Sequence, residues 1–345
     1  GRVAVALDWA PNTNHTGLYA ALARGLYAAR GLEVRLVSPH EDGYALTPGQ
    51  RLAGGQVHFA LAPSETVVNY NTRPEGPARG GVVAVAAVLQ EDTSAIVTLR
   101  SSGLQRPRHL DGRRYASYAA RFEGRIVQQM IRGDGGAGDF VEETPAKLGV
   151  FETVIRGEFD ATWVFMGWEG VEAELAGVEL NAFRPTDFGV PYGYSPVVCC
   201  TRDFLRASPG AARDFLAATA EGYEWAAAHP AQAAELLLRQ VPREHSRPLP
   251  AAHALKADVV LRSQEVLAKH YVAGAAGWGR MRRERWDAFL DWLAENGLLT
   301  AKVQSRAPDG RTSTDLQGLR SGDAGAALDR ASLGSADWFT NAFLP

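Results

Sequence analysis

Short β-rich runs alternate with stretches of helical spacing along the first part of the chain. "RVAVAL" (2–7) has the branched, apolar character of a strand. Leu18, Leu22, Leu26 and Tyr27 then recur at helical spacing over 16–30, with Gly31 as the stop signal. "LEVRLV" (32–37) alternates like a strand, and the order repeats through "AGGQVHFALAP" (53–63), a helix from Ser64, "VVAVAAVL" (82–89) and "SAIVTLR" (94–100). This rhythm predicts an α/β fold of parallel sheets covered by helices.

From residue 101 the pattern restarts: a strand ends at "YASY", "FEGRIVQQMIRGDG" has the spacing of a helix, "DFVEET" of a strand, "AKLGVFETVIRGE" of a helix, and "FDATWVFMGW" of a strand that reaches a loop. A second lobe is the expectation. "YSPVVCCTRDFL" (194–205) is a further strand, and the chain from there to about Gly297 has almost wholly helical spacing. Over 305–335 the composition shifts to Gly, Ser, Asp and Arg with little periodicity, which predicts a flexible surface insertion. "WFTNAFLP" is apolar again and is expected to dock back onto the body.

With 345 residues, two lobes or domains are the default. Hydrophobic residues at 46%, charged residues at 22% and a net charge of -3 give no electrostatic footprint for nucleic acid or anionic lipid. No run of 18 apolar residues occurs, so no membrane span is expected. The two cysteines, Cys199 and Cys200, are adjacent in an apolar strand, which favours packing over a disulfide or zinc site. No His or Cys spacing calls for a metal, and no phosphate-loop or nucleophile-elbow motif is present.

In α/β sheets ligands bind beyond the carboxyl ends of strands, so the loops that follow strands carry the argument. After the first strand come Asp8, Trp9, Asn12, Asn14 and His15; after 57–62 come Ser64 and Glu65; "QEDTS" (90–94) supplies Thr93; "GWEG" supplies Trp168 and Glu169; "YGYSP" supplies Tyr192 and Tyr194. Planar rings can stack on a flat ligand while carboxylates and amides read its edge. A carboxylate that accepts from an exocyclic amine makes a charge-assisted bond of roughly 1.5–3 kcal/mol, against about 1 for a neutral pair. Each residue has a plainer reading too: the tryptophans can be packing residues, and Asp8, Ser64 and Glu65 can serve helix starts.

The segments "LDWAPNTNHTGLYAALARGLY", "GQVHFALAPSETV", "FMGWEGVEAELAGVELN", "YSPVV" and "FTNAFLP", in this order, resemble the solute-binding proteins for thiamin pyrimidine precursors. The resemblance runs from about residue 2 to 300 and again over 338–345. It implies a type II periplasmic-binding-protein fold: lobe one from 1–90 plus 196–345, lobe two from 91–195, crossovers near 89–95 and 190–197, and one ligand in the cleft. It also implies an N-formyl-4-amino-5-aminomethyl-2-methylpyrimidine or related aminopyrimidine ligand, bound by hinge closure without a cofactor. An ABC transporter permease would be the partner, the protein a monomer, and the location periplasmic or at the cell surface. Asp8, Trp9, Asn12, His15, Glu65, Thr93, Trp168, Glu169, Tyr192 and Tyr194 are the expected ligand-binding residues.

The same superfamily contains an enzyme that makes the thiamin pyrimidine from pyridoxal phosphate and its own histidine. That enzyme resembles this chain around "FALAPSETVV" but needs a lysine and a histidine where Ala62 and Thr66 stand. Neither residue can form a Schiff base or donate an imidazole, so a binder is expected. The alternatives are the enzyme or a binder of another flat heterocycle such as riboflavin. "VPYGYSP" lacks the acid and paired tyrosines common in the family's corresponding loop, which bears on the exact ligand.

Overall fold

A computed structural model describes residues 1–73, 81–272, 274, 277–302 and 315–345. Ten strands form in chain order: β1 (Arg2–Ala6), β2 (Glu33–Val37), β3 (Phe59–Ala62), β4 (Val82–Ala87), β5 (Ser94–Leu99), β6 (Arg114–Ala116), β7 (Val141–Glu143), β8 (Ala161–Phe165), β9 (Leu180–Phe183) and β10 (Val197–Thr201). They fall into two five-stranded sheets, ordered β2-β1-β3-β10-β4 and β7-β6-β8-β5-β9. The architecture is the expected α/β arrangement of two sheets with covering helices.

The sheets are mixed rather than parallel. β1 runs parallel to β2 and β3, and β6 parallel to β7 and β8. β10 is antiparallel to β3 and β4, and β5 is antiparallel to β8 and β9. The reason is connectivity: β5 is the first strand of the second sheet after the chain leaves the first, and β10 the strand on which it returns. Neither follows a helix that would turn it parallel to its neighbours.

Two other expectations are corrected, and one strand goes beyond them. The helix read over 16–30 stops at Ala23, because Gly25 takes a left-handed φ of 69° and only a short 3-10 turn, Ala28–Arg30, follows. β9 gives too short an apolar signal to be read from the sequence. Of the expected loose insertion at 305–335, residues 303–314 lie outside the described residues, but 315–335 is structured. It contains the helix Leu316–Arg320, whose Leu316, Leu319 and Arg320 are buried, and the Arg320 guanidinium pairs with Glu142 with both side chains out of solvent. Composition concealed this because one buried ion pair and two leucines anchor an otherwise polar stretch.

The core packs against β1, β3 and β4. Tyr27, Phe215 and Phe59 stack in a row at centroid distances of 5.5 and 4.2 Å, and Tyr223 stacks on Trp278 at 4.7 Å. The helix Thr16–Ala23 lies directly on the helix Pro209–Ala228: a Cβ on Gly17 would sit 2.1 Å from the Tyr223 ring, and one on Gly222 2.1 Å from the Gly17 carbonyl. That contact fixes the height of the first helix above the sheet, and with it the loop that joins β1 to the helix. "WFTNAFLP" docks as expected, with Phe339 bridging to Ala84 and stacking on Trp286. Cys199 and Cys200 are buried and unbridged, and burial pushes the Cys199 thiol up to about 12.

Candidate functional site

Loops at the ends of strands from both sheets wall a cavity of about 310 Å³. From the first sheet it takes Asp8 and Trp9 after β1 and Glu65 after β3; from the second, Tyr118 to Arg121 and Glu123 after β6, and Trp163 and Glu169 in and after β8. Tyr44 and Tyr192 close it between them.

Asp8 is placed by its neighbours. Asn12 N–H donates to His15 Nδ1 at 3.2 Å, which leaves Nε2–H to donate to the Asp8 carboxylate at 2.6 Å. Trp9 turns its indole among other rings, edge-on to Tyr118 at 5.6 Å and tilted to Tyr44 at 5.7 Å. Trp163 and Tyr192 meet at 5.2 Å. The wall therefore offers aromatic surface from both sheets.

Glu65 opens the helix Ser64–Thr72, where the positive end of the helix dipole favours a carboxyl group. Its Oε2 accepts from the Tyr192 hydroxyl at 2.8 Å, while its buried Oε1 has no partner among the described residues. Burial pushes Glu65 up to about 8, against the Tyr192 bond, which favours the charged form. Glu169 opens the helix Glu169–Leu175 and accepts from Phe165 N–H at 3.1 Å. Burial, and then Glu172, push it up to about 8. Buried carboxyl groups raised to about 8, one of them with an oxygen that has no partner among the described residues, suit a ligand rich in N–H donors.

The structure brings Asp8, Trp9, Glu65, Glu169 and Tyr192 to this cavity. The other five expected residues do not line it. Asn12 is buried as a cap, its Oδ1 accepting from Asn14 N–H and its amide donating to the Ala10 carbonyl. His15 is fully buried behind Asp8. Thr93 is buried in the connection before β5, its carbonyl accepting from Met166 N–H, and its hydroxyl has no partner among the described residues. Trp168 is the non-helical cap residue just before Glu169, with φ -124° and ψ -78°, and its ring packs in the core while Glu169 lines the cavity. It lines only a minor pocket of about 20 Å³ that shares Trp9 and Glu169 with the main one. Tyr194 is buried, its hydroxyl accepting from Arg282 N–H at 2.9 Å with the Arg285 guanidinium 4.1 Å above its ring.

Sequence reasoning missed Tyr44, Tyr118, Glu123, Lys147 and Trp163, all of which line the cavity. Tyr118 and Glu123 had a signal, since they follow a strand and open a helix. Trp163 lies inside β8 and had none, because only sheet register decides which face of a strand meets the cavity. Lys147 places its ammonium 4.5 Å above the Tyr44 ring. Ala62 and Thr66 both line the cavity, and among the described residues no histidine walls it. Among the described residues no group of three or more His, Cys, Asp or Glu could hold a metal ion, and no helix is long and apolar enough to cross a membrane.

The formylaminopyrimidine-binding protein of Halalkalibacterium halodurans is 25% identical over 302 residues, which cover 87% of each chain. The 4-amino-5-hydroxymethyl-2-methylpyrimidine phosphate synthase of Legionella pneumophila is 23% identical over 258 residues, 70% of this chain and 74% of that one. Among solved structures, the alkanesulfonate-binding protein of Xanthomonas axonopodis pv. citri superposes with a TM-score of 0.64 at 13% identity, covering 90% of this chain and 97% of that one. That likeness shows the two-lobed periplasmic-binding-protein fold. The model of the family described as NMT1/THI5 like matches residues 12–233, more than half of the chain, and the protein belongs to that family.

Proposed function

We propose that the protein binds a thiamin pyrimidine precursor, N-formyl-4-amino-5-aminomethyl-2-methylpyrimidine or the related aminopyrimidine, between its two sheets, without chemical change to it. The observation that carries this reading is the Glu65 carboxyl group, buried at a ring-lined cavity with Oε1 open and Oε2 held by Tyr192. An exocyclic amine is the donor that fits it, and a flat ring carrying that amine fits the Trp9, Tyr118 and Trp163 surfaces. About 310 Å³ is at the small end of ligand pockets and favours a single ring over the three fused rings of a flavin. The relative from Halalkalibacterium halodurans, named for binding formylaminopyrimidine, supports the same class. In this reading the lobes close over the ligand by a hinge motion, and the closed form is handed outside the cytoplasm to an ABC transporter permease.

A thermal-shift panel of formylaminopyrimidine, aminopyrimidine, hydroxymethylpyrimidine, thiamin and riboflavin tests it. At 100-fold above Kd the expected stabilisation is about 2.7 kcal/mol for the true ligand. No response to any pyrimidine ends the proposal.

A second reading, an enzyme of pyrimidine synthesis, draws on the relatives named as synthases and on Lys147 in the cavity wall. Ala62 and Thr66 argue against it, as does the lack of a cavity histidine among the described residues. Incubation with pyridoxal phosphate and borohydride decides: a mass increment on Lys147 favours the enzyme, and no adduct favours the binder.

A further inference from the structure

The chain passes between the two sheets twice, from β4 to β5 and from β9 to β10. A third connection is made by side-chain contact. It starts on the helix Arg283–Glu295, whose Trp286 stacks on Phe339 beside β4. Gly297 takes a left-handed φ of 67° and turns the chain off that helix. Residues 299–302 then run beside 324–328: Leu328 N–H donates to the Leu299 carbonyl, Ala301 N–H to the Ala326 carbonyl and Lys302 N–H to the Ala324 carbonyl. The helix Leu316–Arg320 belongs to the same arm, and Arg330 beyond it pairs with Asp287 and Asp291, back on the helix where the arm began.

The arm lies against the body built on the second sheet. Arg125 and Gln128, three residues apart on one face of the helix Glu123–Gly133, point at it. Arg125 donates to the Leu298 carbonyl at 2.9 Å, to the Thr300 hydroxyl at 3.2 Å and to the Gly297 carbonyl, and Gln128 donates to the Arg320 carbonyl at 3.3 Å. Arg121, just ahead of the helix, donates to the Thr300 carbonyl at 2.9 Å and to Thr72 of the helix Ser64–Thr72 on the first sheet. From the arm, Arg320 pairs with Glu142 of β7, donates to the Phe140 carbonyl and lies 4.3 Å over the Phe140 ring. Gly124 makes the room, since a Cβ there would sit 2.2 Å from a Glu142 carboxylate oxygen. Arg121, Arg125, Gln128, Thr300 and Arg320 are all buried. A buried charge that loses its partner is left uncompensated, so these bonds resist being broken one at a time.

We propose that this arm is a strap: through the Arg320–Glu142 pair and the Arg121 and Arg125 bonds it ties the body of the second sheet to that of the first, and holds the ligand-free protein to a narrow opening of the cleft. The hinge motion proposed above is then of small amplitude. The strap acts whatever the ligand is, so its test needs none and leaves the pyrimidine reading untouched.

Nitroxide labels on Ala207→Cys and Ser101→Cys, both exposed and one on each body, report the distance between the bodies by double electron–electron resonance; the native Cys199 and Cys200 are buried. Without ligand, the labelled protein that keeps the strap should give a single distance. Arg320→Met keeps an apolar stem, removes the guanidinium, and should raise the population of a longer distance at least about fivefold. Arg106→Met removes a pair with Asp134 at the far end of the same helix and should leave the single distance as it was. A strapped protein already spread over two distances, an Arg320→Met protein with an unchanged distribution, or the same longer distance in Arg106→Met overturns the proposal. Should circular dichroism show Arg320→Met unfolded, Glu142→Gln keeps the side-chain volume and removes the charge. A rise of about twofold in the longer distance then supports the strap, and no rise overturns it.

Discussion

On the wall built from the first sheet, Asp8 and Glu65 are held by side chains, the His15 imidazole and the Tyr192 hydroxyl. On the wall built from the second, Glu169 accepts from Phe165 N–H, and Glu123 accepts from the N–H groups of Tyr118 and Ala120 together with the Tyr115 and Ser117 hydroxyls. A side-chain partner takes one oxygen and leaves the other to face a ligand, as Glu65 Oε1 does. Backbone amides come in series along a turn, and at Glu123 they engage both oxygens. The first wall thus leaves a carboxyl oxygen open toward the cavity among the described residues, and the second uses its carboxylates to fix its own loops.

The difference can be broken most strongly at Glu65. Glu65→Leu should weaken binding of the proposed aminopyrimidine ligand by about 2–3 kcal/mol, because the ligand amine and the Tyr192 hydroxyl both lose their acceptor. Calorimetry with unchanged affinity would remove Glu65 from the ligand's edge. Trp9→Ala should cost about 1–3 kcal/mol of affinity through lost stacking and buried area, without unfolding the chain. His15→Ala should have a smaller effect, about 1 kcal/mol on affinity, because it releases the Asp8 carboxylate from the imidazole while His15 itself does not line the cavity. Tyr194→Phe should leave affinity intact and lower stability by about 1 kcal/mol, since its hydroxyl serves Arg282 N–H; a loss of affinity would restore Tyr194 to the site.

The acids also set a pH dependence. Glu65 and Glu169 in the folded protein lie near 8, above their ordinary values, so the folded state holds more protons than the unfolded chain through the interval between. Their stabilisation is complete below about pH 4.5 and is lost as pH rises through about 8. His40, lowered to about 4 by burial, acts in the opposite sense but only below its ordinary value of 6.5. The melting temperature of the ligand-free protein should therefore fall from pH 6.5 to 8. Glu65→Gln should flatten that slope, and an unchanged slope would locate the effect elsewhere.

The periodicity of strands and helices, the richness of the loops after β1, β3 and β8, and the acids Asp8, Glu65 and Glu169 were legible in the chain itself, because each is a local signal. Their helix-start and strand-end positions follow from sequence neighbours alone. The direction of β5 and β10, the register that turns Trp163 inward, the packing that buries Trp168 in the core beside Glu169, and the burial of Arg320 against Glu142 all depend on segments distant in sequence. Periodicity finds an element, but which face of it meets a ligand and which meets the core is decided only when the elements pack, since one residue of rotation or register exchanges the two.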